Sequence, residues 1–176
     1  NRRNPQFVFN SQITGRLMTD GAMARMYLYD AKNTLAVDLA TRARLVQNGV
    51  RFTFHPSQPM LAYQTYNLNP GGYVLVHDDG SVEGDMSLLT DEGMGLVFKA
   101  NPQDDQMQDM HLQLRKLDLE KYTSVLPYVP RISGILNGDL RASQPYGGQL
   151  TANGLLKFQN LAYEESPMGD NIEVAL

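Results

Sequence analysis

Ile132-Ser133-Gly134-Ile135-Leu136-Asn137-Gly138-Asp139-Leu140-Arg141-Ala142 is the stretch that decides the fold class. Ile132, Gly134, Leu136, Gly138, Leu140 and Ala142 share one parity, and the positions between them are mostly polar. Successive side chains of a strand point to opposite faces, so this segment reads as a strand with one apolar face and one wet face.

The same period of two extends in both directions. Downstream it continues in Leu150, Ala152, Leu156 and Phe158, then in Ile172, Val174 and Leu176. Upstream it runs through Met110, Leu112 and Leu114, through Met94, Leu96, Phe98 and Ala100, and through Val82, Met86 and Leu88. Val74 and Val76, Leu61 and Tyr63, Phe52 and Phe54, the trio Leu35, Val37 and Leu39, and the pair Met26 and Leu28 carry it towards the start.

Turn chemistry separates these runs. Asp20-Gly21 and Asp79-Gly80 are hairpin signals, and Asn48-Gly49, Gly71-Gly72 and Gly147-Gly148 mark further reversals. Pro56, Pro59, Pro70, Pro102 and Pro145 are expected between strands, because proline cannot donate to a ladder. Short connections favour antiparallel neighbours. One segment departs from the pattern: Leu119, Tyr122, Val125 and Leu126 have helical spacing, with Asp118 as a cap and Pro127 as a stop. The residues from Asn101 to Gln108 read as a solvated polar loop. The expectation is an all-β chain, a long antiparallel-rich sheet with one short helix near 118–126, with residues 1–176 forming a single unit.

Composition narrows the function classes. Of the 176 residues 42% are hydrophobic, enough for a continuous buried face. The net charge of −4 comes without any basic run, which argues against nucleic acid as a partner. There is no Cys, hence no disulfide framework and no thiol nucleophile. No run approaches the roughly 20 apolar residues of a membrane helix. The chain begins at Asn1 without Met and ends at Val174-Ala175-Leu176 inside a strand pattern, so it reads as an internal piece of a longer protein.

Candidate reactive groups are sparse. His55, His77 and His111 lack metal-ligand spacing and read as surface or structural residues. Asp78, Asp79, Glu83 and Asp85 crowd one hairpin but lack the calcium-loop pattern, and Asp104 and Asp105 read as solvated. No nucleophile elbow or phosphate-cradling loop is present. The chain therefore reads as non-enzymatic, with no catalytic residue, metal or cofactor. Tyr27, Tyr29, Tyr63 and Tyr66 have two readings, a sugar-stacking platform or plain cross-strand packing.

Residues 112–176 resemble the TamB branch of the AsmA-like family of Gram-negative bacteria. In that family a strand ending in LDL leads into a short helix, as Leu117-Asp118-Leu119 does here. An I-x-G-x-L-x-G-x-L strand follows, matched by Ile132, Gly134, Leu136, Gly138 and Leu140. An L-x-A-x-G-x-L strand and an N-L-x-Y segment come next, matched by Leu150, Ala152, Gly154, Leu156, Asn160, Leu161 and Tyr163. Pro167 and Gly169 match a final P-x-G. Residues 1–111 share only the alternation and the turn spacing. The resemblance implies a sheet curled into a taco-like or solenoid-like trough. It also implies a periplasmic location, with the full-length protein anchored in the inner membrane. The implied role is conducting phospholipid between membranes, or assisting outer-membrane protein assembly with a barrel partner that docks through a region absent from this sequence.

Read from the residues alone, the apolar face is either ordinary core, covered by the sheet folding on itself, or a groove that holds something apolar, and the resemblance favours the groove. A sheet with one apolar face must cover it, and a single short helix is too small to do so. The expected lining is Met26, Leu28, Val37, Leu39, Phe52, Phe54, Val74, Val76, Val82, Met86, Leu88, Leu96, Phe98, Met110, Leu112, Leu114, Ile132, Leu136, Leu140, Leu150, Leu156, Phe158, Ile172 and Val174. Methionine adapts to variable chains. Gly134, Gly138 and Gly154 on the apolar parity suggest close approach of a ligand or of backbone. The expected occupant is the acyl chain of a phospholipid. Two alternatives stay open, a structural or adhesive β-solenoid that is dry inside and a carbohydrate-binding β-sandwich. The strand pattern at Val174 also invites edge-to-edge self-association.

Overall fold

The computed structural model describes residues 10–101, 106–126 and 129–176. Thirteen strands and one short helix follow in order. The strands are β1 (Asn10–Met18), β2 (Gly21–Tyr29), β3 (Leu35–Val46), β4 (Gly49–Leu61), β5 (Gln64–Thr65), β6 (Asn67–Leu68) and β7 (Tyr73–His77). They continue as β8 (Val82–Leu89), β9 (Gly95–Ala100) and β10 (Gln106–Asp118), then, after helix α1 (Leu119–Ser124), β11 (Ile132–Pro145), β12 (Thr151–Tyr163) and β13 (Ser166–Ala175).

All thirteen strands belong to one antiparallel sheet that does not close. Its path is β1-β2-β3-β4-β7-β8-β9-β10-β11-β12-β13, with β5 beside β4 and β6 beside β8. This is the meander that the short connections predict. The β3–β4 connection shows why. Val46 pairs with Gly49, leaving a two-residue loop, and a Cβ at Gly49 would lie 2.2 Å from the Val76 carbonyl oxygen of the next strand. Only glycine fits so close to neighbouring backbone.

The helix proves that the sheet curls. β3 and β11 are six strand steps apart along the path, about 29 Å if the sheet were flat. Yet Val125, at the end of α1, shares a buried cluster with Ala36 of β3 and Ala62 of the turn after β4. Two residues earlier, Thr123 Oγ1 lies 3.2 Å from Ile132 O and 3.4 Å from Ile132 N, at the start of β11. Two positions of one helical turn cannot reach both strands unless the sheet bends round to bring them together. Leu28 of β2 and Tyr122 of α1 pack against the same cluster. Asp118 caps the helix by accepting from Glu120 N and Lys121 N. The expected stop at Pro127 lies outside the described residues.

Two expectations need correction. Pro56 and Pro59 lie inside β4. They fall where the β3–β4 ladder jumps from Ala40↔His55 to Asp38↔Met60, so the missing N–H groups interrupt no regular pairing. Pro145 is likewise the last residue of β11. The polar stretch after Asn101 is also shorter than its composition suggests, since Gln106–Gln108 already belong to β10. Pro102, Asp104 and Asp105 lie outside the described residues.

Candidate apolar trough

Residues paired across a ladder point to the same face, so the register can be followed from edge to edge. Met26 pairs with Ile13 on one side and Leu39 on the other, and Leu28 pairs with Val37. Ala43 leads to Phe52 and Thr41 to Phe54; Phe52 then leads to Val74, and Val50 to Val76. Val76 meets Val82 and Val74 meets Gly84. On the next strands Met86 meets Phe98 and Leu88 meets Leu96. Phe98 meets Leu112 and Leu96 meets Leu114, while Ala100 meets Met110. Leu112 pairs with Leu140, and Leu117 with Leu136. Leu136 meets Phe158, Gly138 meets Leu156, and these meet Ile172 and Val174. One apolar face is thus continuous across the eleven strands of the main path.

A bulge keeps it continuous. Alternation alone would turn Leu117 outward relative to Leu114. The ladder slips between Leu114↔Gly138 and Leu117↔Leu136, with Lys116 at φ +48°, so the two leucines stay in one row. Lys116 N donates to Asn137 Oδ1 at 2.9 Å, which replaces the ladder bond lost at the bulge.

The opposite face is polar and ion-paired. Arg25 grips Asp38 through two bonds of 2.9 Å and lies over the Tyr27 ring, 4.6 Å from its centre. His111 Nε2 sits 3.0 Å from Asp139, and Lys157 Nζ lies 2.7 Å from Glu173. The hydrogen bond with His111 is the main cause of the lowered Asp139 carboxyl pKa.

Burial varies with position in the sheet. Val37 is 5% and Leu88 8% exposed, and Ala100, at the opposite end of β9 from Leu96, the partner of Leu88, is fully buried. Exposed apolar side chains occur at both ends: Leu17 and Leu45 beside the β1–β2 and β3–β4 turns, and Met168 at the start of β13. α1 covers the part of the curl between β3 and β11. There Tyr66 is buried, its hydroxyl bonds the Tyr122 hydroxyl, and burial raises both phenol pKa values.

Not every expected lining residue lies within the paired rows. Leu150 precedes β12, which starts at Thr151, and is exposed. Ile132, by contrast, stays paired, with Tyr163, on the helix side of the irregularity between Ser133 and Ile135, where its backbone meets Thr123 of α1. Met94 sits in the turn before β9, its N–H bonded to Thr90 Oγ1. At Gly134 the expected close approach of backbone is present, a Cβ there lying 2.8 Å from the Gln159 carbonyl oxygen, whereas at Gly138 and Gly154 the nearest atoms are side chains. A Cβ at Gly138 would lie 2.9 Å from Leu156 Cδ2 and 3.2 Å from Leu114 Cδ1, and one at Gly154 would lie 2.3 Å from Leu140 Cδ2. Leucines of the adjoining strands already fill the space above these glycines.

The tyrosines do not form one platform. Tyr27 and Tyr29 stack at 6.4 Å on the polar face, Tyr63 sits in the turn after β4, and Tyr66 is buried beneath α1. In the acidic hairpin, Asp79 Oδ1 accepts from Ser81 N and Oγ, which is turn chemistry. Glu83 accepts from the Tyr73 hydroxyl and lies 3.6 Å from His77. Among the described residues no three His, Asp or Glu side chains converge to hold a metal ion. No helix of the described residues is long and apolar enough to cross a membrane.

Sequence reasoning missed Gln108 as a structural residue. It is 5% exposed, within a stretch whose polarity reads as loop. It also missed Tyr66, whose burial depends on a helix more than fifty residues further along the chain.

No family model matches the chain, and no match is found among curated proteins or solved structures.

Proposed function

We propose that this chain shields the acyl chains of phospholipids along the apolar face of its curled sheet and lets them move along it. The observation that carries this reading is the apolar row that continues across eleven strands of a sheet that curls without closing, with α1 packed between β3 and β11. Each acyl CH₂ taken from water contributes roughly 0.8 kcal/mol without any polar anchor, and a lining without hydrogen-bonding groups leaves the chain free to slide. The resemblance of residues 112–176 supports a periplasmic setting, a tether to the inner membrane in the full-length protein and an outer-membrane barrel partner. It equally supports a role in assembling outer-membrane proteins, where the same face would shelter apolar strands.

A dry scaffold is the second reading. It is favoured by the leucines packed over Gly138 and Gly154, which use space a ligand would otherwise occupy. Native mass spectrometry of the purified chain separates the two. Acyl-chain shielding predicts co-purified phospholipid, or saturable uptake of a fluorescent fatty acid. A chain that is lipid-free and takes up no fatty acid is a scaffold.

A further inference from the structure

Arginines of the polar face line a second concavity. The two-residue β3–β4 loop sets Arg44 directly opposite Arg51, and Arg42 opposite Thr53. Like charges facing each other across a ladder destabilise it. Asp20 relieves this only in part: its carboxylate lies 2.7 Å from Arg44 Nε and 3.6 Å from Arg42 Nη2. Arg51 is held another way, its guanidinium 3.9 Å above the centre of the Tyr73 ring, which positions the charge without neutralising it. Among the described residues Asp20 is the carboxylate within ion-pair distance of Arg42 and Arg44, and Glu83, which accepts from the Tyr73 hydroxyl, is the next acid in the row of Arg51.

These arginines line a cleft of about 530 Å³ with residues 53–55, Ser57, Leu68 of β6 and the loop 69–72. The loop is fastened from behind. Asn69 Oδ1 accepts from Ser87 N at 2.8 Å, and its Nδ2 donates to Asp85 O at 3.2 Å. Among the described residues, Arg42 Nε is the one buried side-chain nitrogen or oxygen without a hydrogen-bond partner. Nε itself is shielded by protein while 40% of the Arg42 side chain is exposed, so a ligand would meet the outer guanidinium nitrogens.

We infer that this cleft binds a phosphate group. Arginines from two strands line it, and a tetrahedral anion offers acceptors in three dimensions where a carboxylate offers them in one plane. The volume exceeds a bare phosphate and suits a phosphate monoester. That monoester is either a soluble metabolite or the headgroup of an anionic lipid lying against the outside of the sheet. The inference does not depend on the trough, since the arginines that carry it lie on the other face.

Calorimetric titration of the whole chain with inorganic phosphate at low ionic strength tests it. Saturable binding is expected, weakened about tenfold or more by Arg42→Gln and by Arg51→Gln. Lys99→Gln, a charge change on the same face outside the cleft, leaves it unchanged. Sedimentation with phosphatidic acid vesicles separates the sources. Arg51-dependent binding that phosphate competes away identifies a lipid headgroup, and phosphate binding without vesicle binding identifies a soluble ligand. Absence of saturation, or an equal loss in Lys99→Gln, overturns the inference. If Arg42→Gln does not fold, Arg51→Gln decides by the same outcomes. Fatty-acid uptake measured on the same variants stays at wild-type level, so failure of the cleft and failure of the trough are read separately.

Discussion

Gln108 completes a ladder that β9 leaves unfinished. β9 ends at Ala100, and the side chain of Gln108 reaches from β10 to β8. Its Oε1 accepts from Val82 N at 2.8 Å and its Nε2 donates to Val82 O at 2.9 Å. One amide thus takes the place of a backbone residue between two strands that are not neighbours. Removing it strips both half-buried Val82 groups of their partner. Gln108→Ala is expected to lower stability by roughly 1–3 kcal/mol, and Gln108→Glu to lose at least the donor half of the pair. Urea denaturation of the purified variants checks this. Wild-type stability in Gln108→Ala would show that water replaces the amide without loss.

The Tyr66–Tyr122 contact predicts an alkaline limit. Burial is the largest cause of the raised pKa of both phenols, and Tyr122 is raised further by its bond with Tyr66. A group whose pKa is higher folded than unfolded contributes stability that is complete below the unfolded value, about 10 for tyrosine. That contribution is lost as pH climbs through the folded value. Thermal stability should therefore fall above about pH 10, and the double variant Tyr66→Phe/Tyr122→Phe should show a shallower decline there. At neutral pH the double variant should cost little, since both members of the pair leave together. An unchanged alkaline slope would assign that limit to other groups.

The middle of the trough separates an open surface from a closed core. Leu136 and Leu156 are half-buried and lie in the continuous apolar row. If the face is open, Leu136→Arg and Leu156→Arg should retain a folded β spectrum, because a long side chain can carry its charge to water. Fatty-acid uptake should nevertheless fall severely in both. Global unfolding of both variants would mean that an unpaired charge has been forced into sealed core, a loss of several kcal/mol.

Much of the fold was legible from residue order. The parity of Leu136, Leu140, Leu156 and Phe158, the turns at Asn48-Gly49 and Asp79-Gly80, and the cap at Asp118 all depend on side chains within a few residues of one another. Leu150 and Met94 were misplaced because apolar alternation carries on past the point where a ladder stops. Pro56 and Pro59 were misplaced because a break in the β3–β4 register tolerates them, and that break is visible only in the pairing.

Taken alone, the order of residues determined that this chain makes strands with one oily side and one wet side, joined by short reversals and interrupted by a single helix. Periodicity is a local property, and so it survives without knowledge of the neighbours. Tertiary structure decided the rest. The slip at Lys116 keeps the oily row unbroken, the bending of the sheet brings Ala36 to Val125, and the β3–β4 register stands Arg44 against Arg51. Each depends on pairing or curvature accumulated over many strands, which no short window of sequence contains.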